Sequence, residues 1–148
     1  MKPIRTYILV ADGARAHLFL SEGRGKPLTE VAGSELHQDI PPDHEIGGDR
    51  PGRVQESATI ARHAIERDDL HRREKERFAA NLAADLDRRL AKNEYGRLII
   101  AAAPETLGMI RQALSEKVRS VILAEVAKDL TKLSSPQVKA HLGEDLPI

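Results

Sequence analysis

Apolar positions along the chain follow two different periods, and the change from one to the other divides it. Ile8, Leu9, Val10 and Ala11 form an apolar run that stops at Asp12-Gly13, a pair suited to a tight turn because glycine accepts positive φ. After the turn Ala14, Ala16, Leu18 and Leu20 alternate with Arg15, His17, Phe19 and Ser21, the period of two that sets one face of a strand on a core. Phe19 interrupts the polar side, so the second face is expected to be half covered. A glycine-punctuated stretch, Glu22-Gly23-Arg24-Gly25-Lys26-Pro27, turns the chain again, and residues 28–36 offer a weaker strand anchored by Val31. The first third is therefore predicted to be an antiparallel meander.

Periodicity is lost over residues 37 to about 67, where Pro41-Pro42, Gly47-Gly48 and Pro51-Gly52 break any helix or ladder. A connection longer than about 12 to 15 residues is uncommon in a compact domain and tends to carry function, so this long loop is a place to look for binding.

Beyond it the helical period takes over. Leu70, Phe78, Leu82, Leu86 and Leu90, with Ala79 and Ala83 beside them, recur at three- and four-residue steps and predict an amphipathic helix from Asp68 or Asp69 to about Asn93. Arg72, Arg73, Lys75, Glu76, Arg88 and Arg89 fall on its outer face. Tyr95-Gly96 ends it, and the unbroken run Leu98-Ile99-Ile100-Ala101-Ala102-Ala103 is what a strand covered on both faces requires. Pro104 suits the first turn of a second helix, with Leu107, Ile110 and Leu114 as its stripe. The β-branched pair Val121-Ile122 favours a strand over residues 121–126. Ser135-Pro136 opens a last short helix with Val138 and Leu142 inward and Gly143 at its stop. The predicted order is β-β-β-α-β-α-β-α, an α/β fold with a mixed sheet and helices packed on it. It is the order of a ribonuclease H-like sheet.

Composition narrows the function classes. The 148 residues fit one domain over residues 1–148, and 41% hydrophobic with 31% charged residues is a globular composition. Basic and acidic residues balance at 23 each, so any contact with nucleic acid or an anionic membrane would need a local patch. There is no cysteine, which removes disulfides, thiolate metal sites and a cysteine nucleophile. Met1-Lys2-Pro3-Ile4-Arg5-Thr6-Tyr7 has no signal-peptide character, and no run of about 18 apolar residues predicts membrane insertion. A cytoplasmic location is expected.

Candidate chemistry is sparse. A two-metal nuclease needs several carboxylates around ions about 3.5 to 4 Å apart. Here Asp12 ends the first strand, but the central strand offers only Glu105 and the helix only Glu74 or Glu76. Asp12 reads more simply as a turn residue. His37, Asp39, Asp43, His44 and Glu45 are ligand types crowded into one loop, with no recognisable metal-site spacing. Gly47-Gly48-Asp49-Arg50-Pro51-Gly52-Arg53 joins a flexible backbone to two guanidinium groups, a chemistry for phosphate or carboxylate. The bases of residues 62–77 alternate with acids as on a solvated helix face, and aromatic residues, 3% of the chain, are too few for base-stacking platforms. Neither a Gly-x-Ser-x-Gly elbow nor a Walker-type loop is present. No catalytic residue, metal or cofactor is assigned.

Taken in order, Ile8-Leu9-Val10-Ala11-Asp12-Gly13-Ala14-Arg15-Ala16, the Asp49-Arg50-Pro51-Gly52-Arg53 loop, Phe78-Ala79, Leu98-Ile99-Ile100-Ala101-Ala102-Ala103-Pro104 and Lys128-Asp129-Leu130-Thr131 resemble the bacterial host attachment protein family. That resemblance implies a role in attachment to host cells. The family is in turn similar to the ribonuclease H-like second domain of eukaryotic and archaeal peptide-chain release factors. The working tripeptide of those factors is Gly-Gly-Gln; this chain has Gly47-Gly48-Asp49, so no catalytic residue carries over. The expected function is a non-enzymatic binding domain whose contribution to attachment is indirect. Its contact residues are Arg50 and Arg53, with Asp12 and Arg15 as a second patch. The partner is a protein or, in the release-factor lineage, a ribosomal or RNA species; a homo-oligomer is compatible with the same features.

Overall fold

A computed structural model describes residues 4–38 and 57–148, and the side chains of the first helix from Arg62 onward. Two hydrophobic faces organise it. Strand β1 (Thr6–Ala11) pairs antiparallel with β2 (Arg15–Ser21) on one side and parallel with β5 (Arg97–Ala102) on the other. Strand β6 (Ile122–Val126) adds parallel to β5, so the path across the sheet is β3-β2-β1-β5-β6. Here β3 is Thr29–Glu30, and β4 (Leu36–His37) also pairs with β2.

Alternation along these strands divides their side chains between the faces. Tyr7, Leu9, Ala11, Ala16, Leu18, Leu98, Ile100 and Ala102 pack under helix α1 (Ser57–Ala91), α2 (Pro104–Ala113) and the short α3 (Glu116–Ser120). Ile8, Val10, Phe19, Ile99 and Ala101 pack on the other side with Leu130, with Val138 and Leu142 of α4 (Ser135–Leu142), and with Ile148. Both faces of β1 and β5 are thereby buried, as the unbroken apolar runs require. Phe19 is buried while Arg15 and His17 on the same face are exposed and half-buried, so that face is half covered, as expected.

The expected order of strands and helices is present in this ribonuclease H-like α/β fold, with several corrections. The weak strand over residues 28–36 is two short strands at opposite ends of β2, with pairing that slips from Phe19↔Glu30 to Ala16↔Leu36. A turn carrying Gly33 at φ 73° separates them, a conformation that only glycine adopts without strain. The buried Ser34 hydroxyl accepts from the Leu18 N–H at 3.0 Å, replacing the ladder partner that the turn removes.

Helix α1 begins at Ser57, not at Asp68 or Asp69, so the loop expected to reach residue 67 gives way to helix eleven residues earlier. At 1.5 Å per residue its 35 residues span about 50 Å, more than twice the length of a six-residue strand. No described side chain over residues 62–77 is buried, and burial begins at Phe78. Leu70, expected on the inner face, is therefore exposed. Arg89 departs in the other direction. Its side chain is only 14% accessible, held by Asp85 at 2.9 Å and Glu94 at 2.9 Å, and it reaches the Gly33 carbonyl at 3.3 Å.

Gly13 does not use the positive φ expected of the turn. α3 was not foreseen; Ser115 caps it by accepting from the Val118 N–H at 3.2 Å. In α4 the cap is Ser134, one residue before the expected start, and Gln137 answers it in a capping box.

Candidate functional site

Strands β1 and β5 are parallel, and their carboxyl ends lie side by side at Ala11 and Ala102. Chains of opposite connection leave there: β1 folds back into β2, while β5 runs on into α2. Such strand ends are where ligands bind in open α/β sheets.

The turn at this edge is built by Asp12. Its Oδ1 accepts from the backbone N–H of Ala14 and of Arg15, both at 2.7 Å, and Oδ2 faces the Arg15 guanidinium at 3.5 Å. The carboxylate is thus engaged in shaping the turn. On the α1 side, Lys75 packs over Gly13 and pairs with Glu105 at 3.8 Å. Gln38 donates to the Glu74 side chain at 2.7 Å and to its carbonyl at 3.1 Å, while Arg77 holds the other Glu74 oxygen at 3.0 Å. Asp12, Glu74 and Glu105, the carboxylates a two-metal site would draw on, are each tied to a different neighbour. Among the described residues, no three of His, Cys, Asp and Glu come together in a way that could hold a metal ion.

Of the four predicted contact residues, Asp12 and Arg15 meet in this turn. Arg50 and Arg53 lie outside the described residues, as do Asp39, Asp43, His44 and Glu45 of the loop cluster. One link bears on them: the Gln38 N–H donates to the Ala14 carbonyl at 2.8 Å, so residue 38, just before that segment, is fastened beside Arg15.

The opposite side of the turn holds residues that the sequence reading did not assemble. Arg15 and His17 are two apart on β2 and share a side with Phe19; His17 stands edge-on to its ring, centroids 4.9 Å apart. His37 of β4 is the direct cross-strand partner of Arg15. Thr131, from the segment after β6, closes the other wall. With Glu35 these residues line a groove of about 230 Å³. The period of two already put Arg15 and His17 on one side. Pairing with Thr131 depends on the chain crossing the second face of the sheet, which no local pattern signals.

No curated protein matches the chain. Among solved structures, an archaeal translation termination factor, aRF1, is similar with a TM-score of 0.51 and 11% identity, over 96% of this chain and 35% of that one. A second, described as an archaeal protein, has a TM-score of 0.46 and 17% identity, over 93% and 34%. The chain spans about a third of the length of each. No helix among the described residues is long and apolar enough to cross a membrane. The model of a family described as "Protein required for attachment to host cells" matches residues 7–142, nearly the whole of the chain with both faces of the sheet, and the chain belongs to that family.

Proposed function

We propose that this member of the family is a non-enzymatic binding domain that works in the cytoplasm and contributes to attachment through a macromolecular partner. The contact is the strand-end turn of Asp12 and Arg15 together with Arg50 and Arg53. The observation that carries this reading is the hydrogen bond from the Gln38 N–H to the Ala14 carbonyl. It starts the segment bearing Arg50 and Arg53 from beside Arg15, whose side chain is 55% accessible. Guanidinium groups suit phosphate or carboxylate on a partner. The binding reading is favoured over hydrolysis because Asp12, Glu74 and Glu105 are engaged with the turn amides, Gln38 and Lys75.

A second reading rests on the fold shared with the archaeal termination factor: the partner is a ribosomal or RNA species held by shape and phosphate contacts. Such binding weakens steeply with salt. Sedimentation of the tagged protein from gently lysed cells, at low and high salt, tests both readings beside an Arg50→Ala/Arg53→Ala variant. Co-migration with a larger species, lost in the variant, supports the contact; loss of ribosomal co-migration at high salt selects the second reading. Migration as a small free species in every lane overturns both. Native protein on the surface of intact cells would overturn the cytoplasmic setting. Cleavage of RNA or DNA with magnesium or manganese, abolished by Asp12→Asn, would overturn the non-enzymatic one.

A further inference from the structure

We infer that the exposed first half of helix α1 pairs antiparallel with the same segment of a second copy of this chain, held by the opposite charges that the two copies present to each other. The inference is independent of the contact proposed above, since Asp12, Arg15, Arg50 and Arg53 take no part in it.

Over residues 62–77 the helix runs for about 24 Å without burying a described side chain. Helices in proteins owe most of their stability to the packing of one face, and this stretch lays no apolar face on the core. Arg62, Ile65, Asp69, Arg72 and Glu76 recur at steps of three and four residues, so they line one side of it, with the spacing of the seam between two coiled helices. All five are exposed, Ile65 at 62%. Glu66 and Arg73, also exposed, flank that seam on the same edge.

The order of charge along the seam selects the occupant. Acids come first, Glu66 and Asp69, and bases follow, Arg72 and Arg73. When the helix lies antiparallel on a copy of itself, about a two-fold axis between residues 70 and 71, Asp69 faces Arg72 of the partner subunit and Glu66 faces Arg73 of the partner subunit. Symmetry doubles both pairs. Ile65 then lies across from the aliphatic stem of Glu76, and no like charges meet along the seam. A parallel pairing would set Asp69 on Asp69 and Arg72 on Arg72, so the same pattern that favours one arrangement works against the other. The charges are open to this use. Among the described residues, Glu66, Asp69, Arg72 and Arg73 form no ion pair or hydrogen bond, although Asp69 and Arg73 stand at the i,i+4 spacing that favours a pair within one helix. Their neighbours are committed elsewhere, Glu74 to Gln38 and Arg77, and Lys75 to Glu105. Two helical segments of this length bury less than about 1,200 Å², the range of transient contacts, so the association is weak and sensitive to salt.

Sedimentation equilibrium of the full chain tests this. The parent is expected to dimerise with a Kd on the order of 0.1 mM at about 0.05 M salt, and at least about tenfold more weakly at about 1 M, where screening acts beyond about 3 Å. Glu66→Arg/Asp69→Arg makes the four charged positions all basic, and Arg72→Glu/Arg73→Glu makes them all acidic. Each variant alone is expected to be monomeric. An equimolar mixture of the two should form a one-to-one dimer of affinity similar to the parent's, because the same four cross pairs are restored; a variant that had merely failed to fold could not recover in this way. The chain has no cysteine, so Ile65→Cys and Glu76→Cys report the orientation. Oxidation of a mixture of these two should join position 65 of one copy to position 76 of the other in preference to 65–65 or 76–76. A parent that stays monomeric to about 1 mM at low salt, dimers that persist in both charge variants, a mixture that does not associate, or like disulfides in place of the mixed one would overturn the inference.

Discussion

Tyr7 of β1 lies stacked on Tyr95, ring centroids 4.9 Å apart and planes 22° from parallel, and both hydroxyls are spoken for. The Tyr7 hydroxyl donates to Glu94 at 3.0 Å and that of Tyr95 to the Leu86 carbonyl at 2.7 Å. Burial raises the pKa of Tyr7, and the hydrogen bond to Glu94 and its charge add to the rise. Tyr95 is raised further, by burial first and then by the negative charges of Asp87 and Asp85. The sign follows from linkage. The unfolded chain releases these protons at the ordinary value of 10.0 and the folded chain later, so stability is full below that pH and falls as pH rises above it. These are the chain's two tyrosines, so phenolate absorbance reads them directly. It should lag behind free tyrosine and then rise together with loss of the far-ultraviolet circular dichroism. An ordinary titration curve with the dichroism intact would contradict this account.

The same end of α1 depends on Asp85, which is 8% accessible although charged. It is paired with Arg88 and Arg89, and Arg89 in turn holds Glu94. Burial alone would lower the Arg89 pKa; the hydrogen bonds and charges of Asp85 and Glu94 outweigh it and raise it. Removing Asp85 leaves a largely buried guanidinium short of a partner, so Asp85→Ala should cost about 2 to 3 kcal/mol in denaturant melts. Arg88, 59% accessible, should be replaceable by alanine at under about 0.5 kcal/mol. Equal effects from the two variants would show that the Arg89 link is not what fixes this corner.

The contrast between Arg88 and Arg89 shows where sequence reasoning stops. Spacing placed both on the outer face of α1, and for Arg88 that holds; the Asp85, Glu94 and Gly33 contacts that draw Arg89 in come partly from a turn 56 residues away. The β1 and β5 runs were legible because burial on both faces leaves no room for a polar residue. The start of α1 was not. Its first turns bury no described side chain, and Asp68 or Asp69 with Leu70 offers a cap and a first apolar position that in fact lie inside the helix, while the alanines at 58, 61 and 64 are the weaker signal of its true start. Of the site, Asp12 and Arg15 were visible as a turn and a charge. Their alignment with His37 and Thr131 needed the pairing of β4 and the path across the second face.

Because Asp12 shapes the turn through two backbone amides, its acceptor oxygen matters more than its charge. Asp12→Asn keeps that oxygen and should cost under about 0.5 kcal/mol, while Asp12→Ala should cost about 1 kcal/mol. Gly13→Ala should be neutral or stabilising by up to about 0.5 kcal/mol. The φ of Gly13 is not positive, and an added Cβ would sit 3.4 Å from the flexible end of Lys75. Thermal melts of the three variants separate these cases. A marked loss in Gly13→Ala would mean that the turn needs a left-handed residue after all.

Ser34 replaces a whole rung of the sheet with one hydroxyl, and this gives a local test. The Leu18 N–H is buried in the middle of β2, where the turn between β3 and β4 leaves no carbonyl opposite it, and the Ser34 hydroxyl at 3.0 Å takes that place. Ser34→Ala removes the acceptor without making space for a substitute, so it should cost about 1 to 2 kcal/mol, the penalty of an unpaired buried amide. Hydrogen exchange locates the effect more sharply than a melt. In the variant the Leu18 amide should exchange at least about tenfold faster than in the parent. Amides of β1 and β5, which keep their ladder partners, should speed up only by the global loss in stability. Ser34→Cys, with its weaker sulfur acceptor, should fall between the two. Uniform acceleration across the sheet, with Leu18 no different from its neighbours, would show that the hydroxyl holds the turn as a whole and not the one amide it faces.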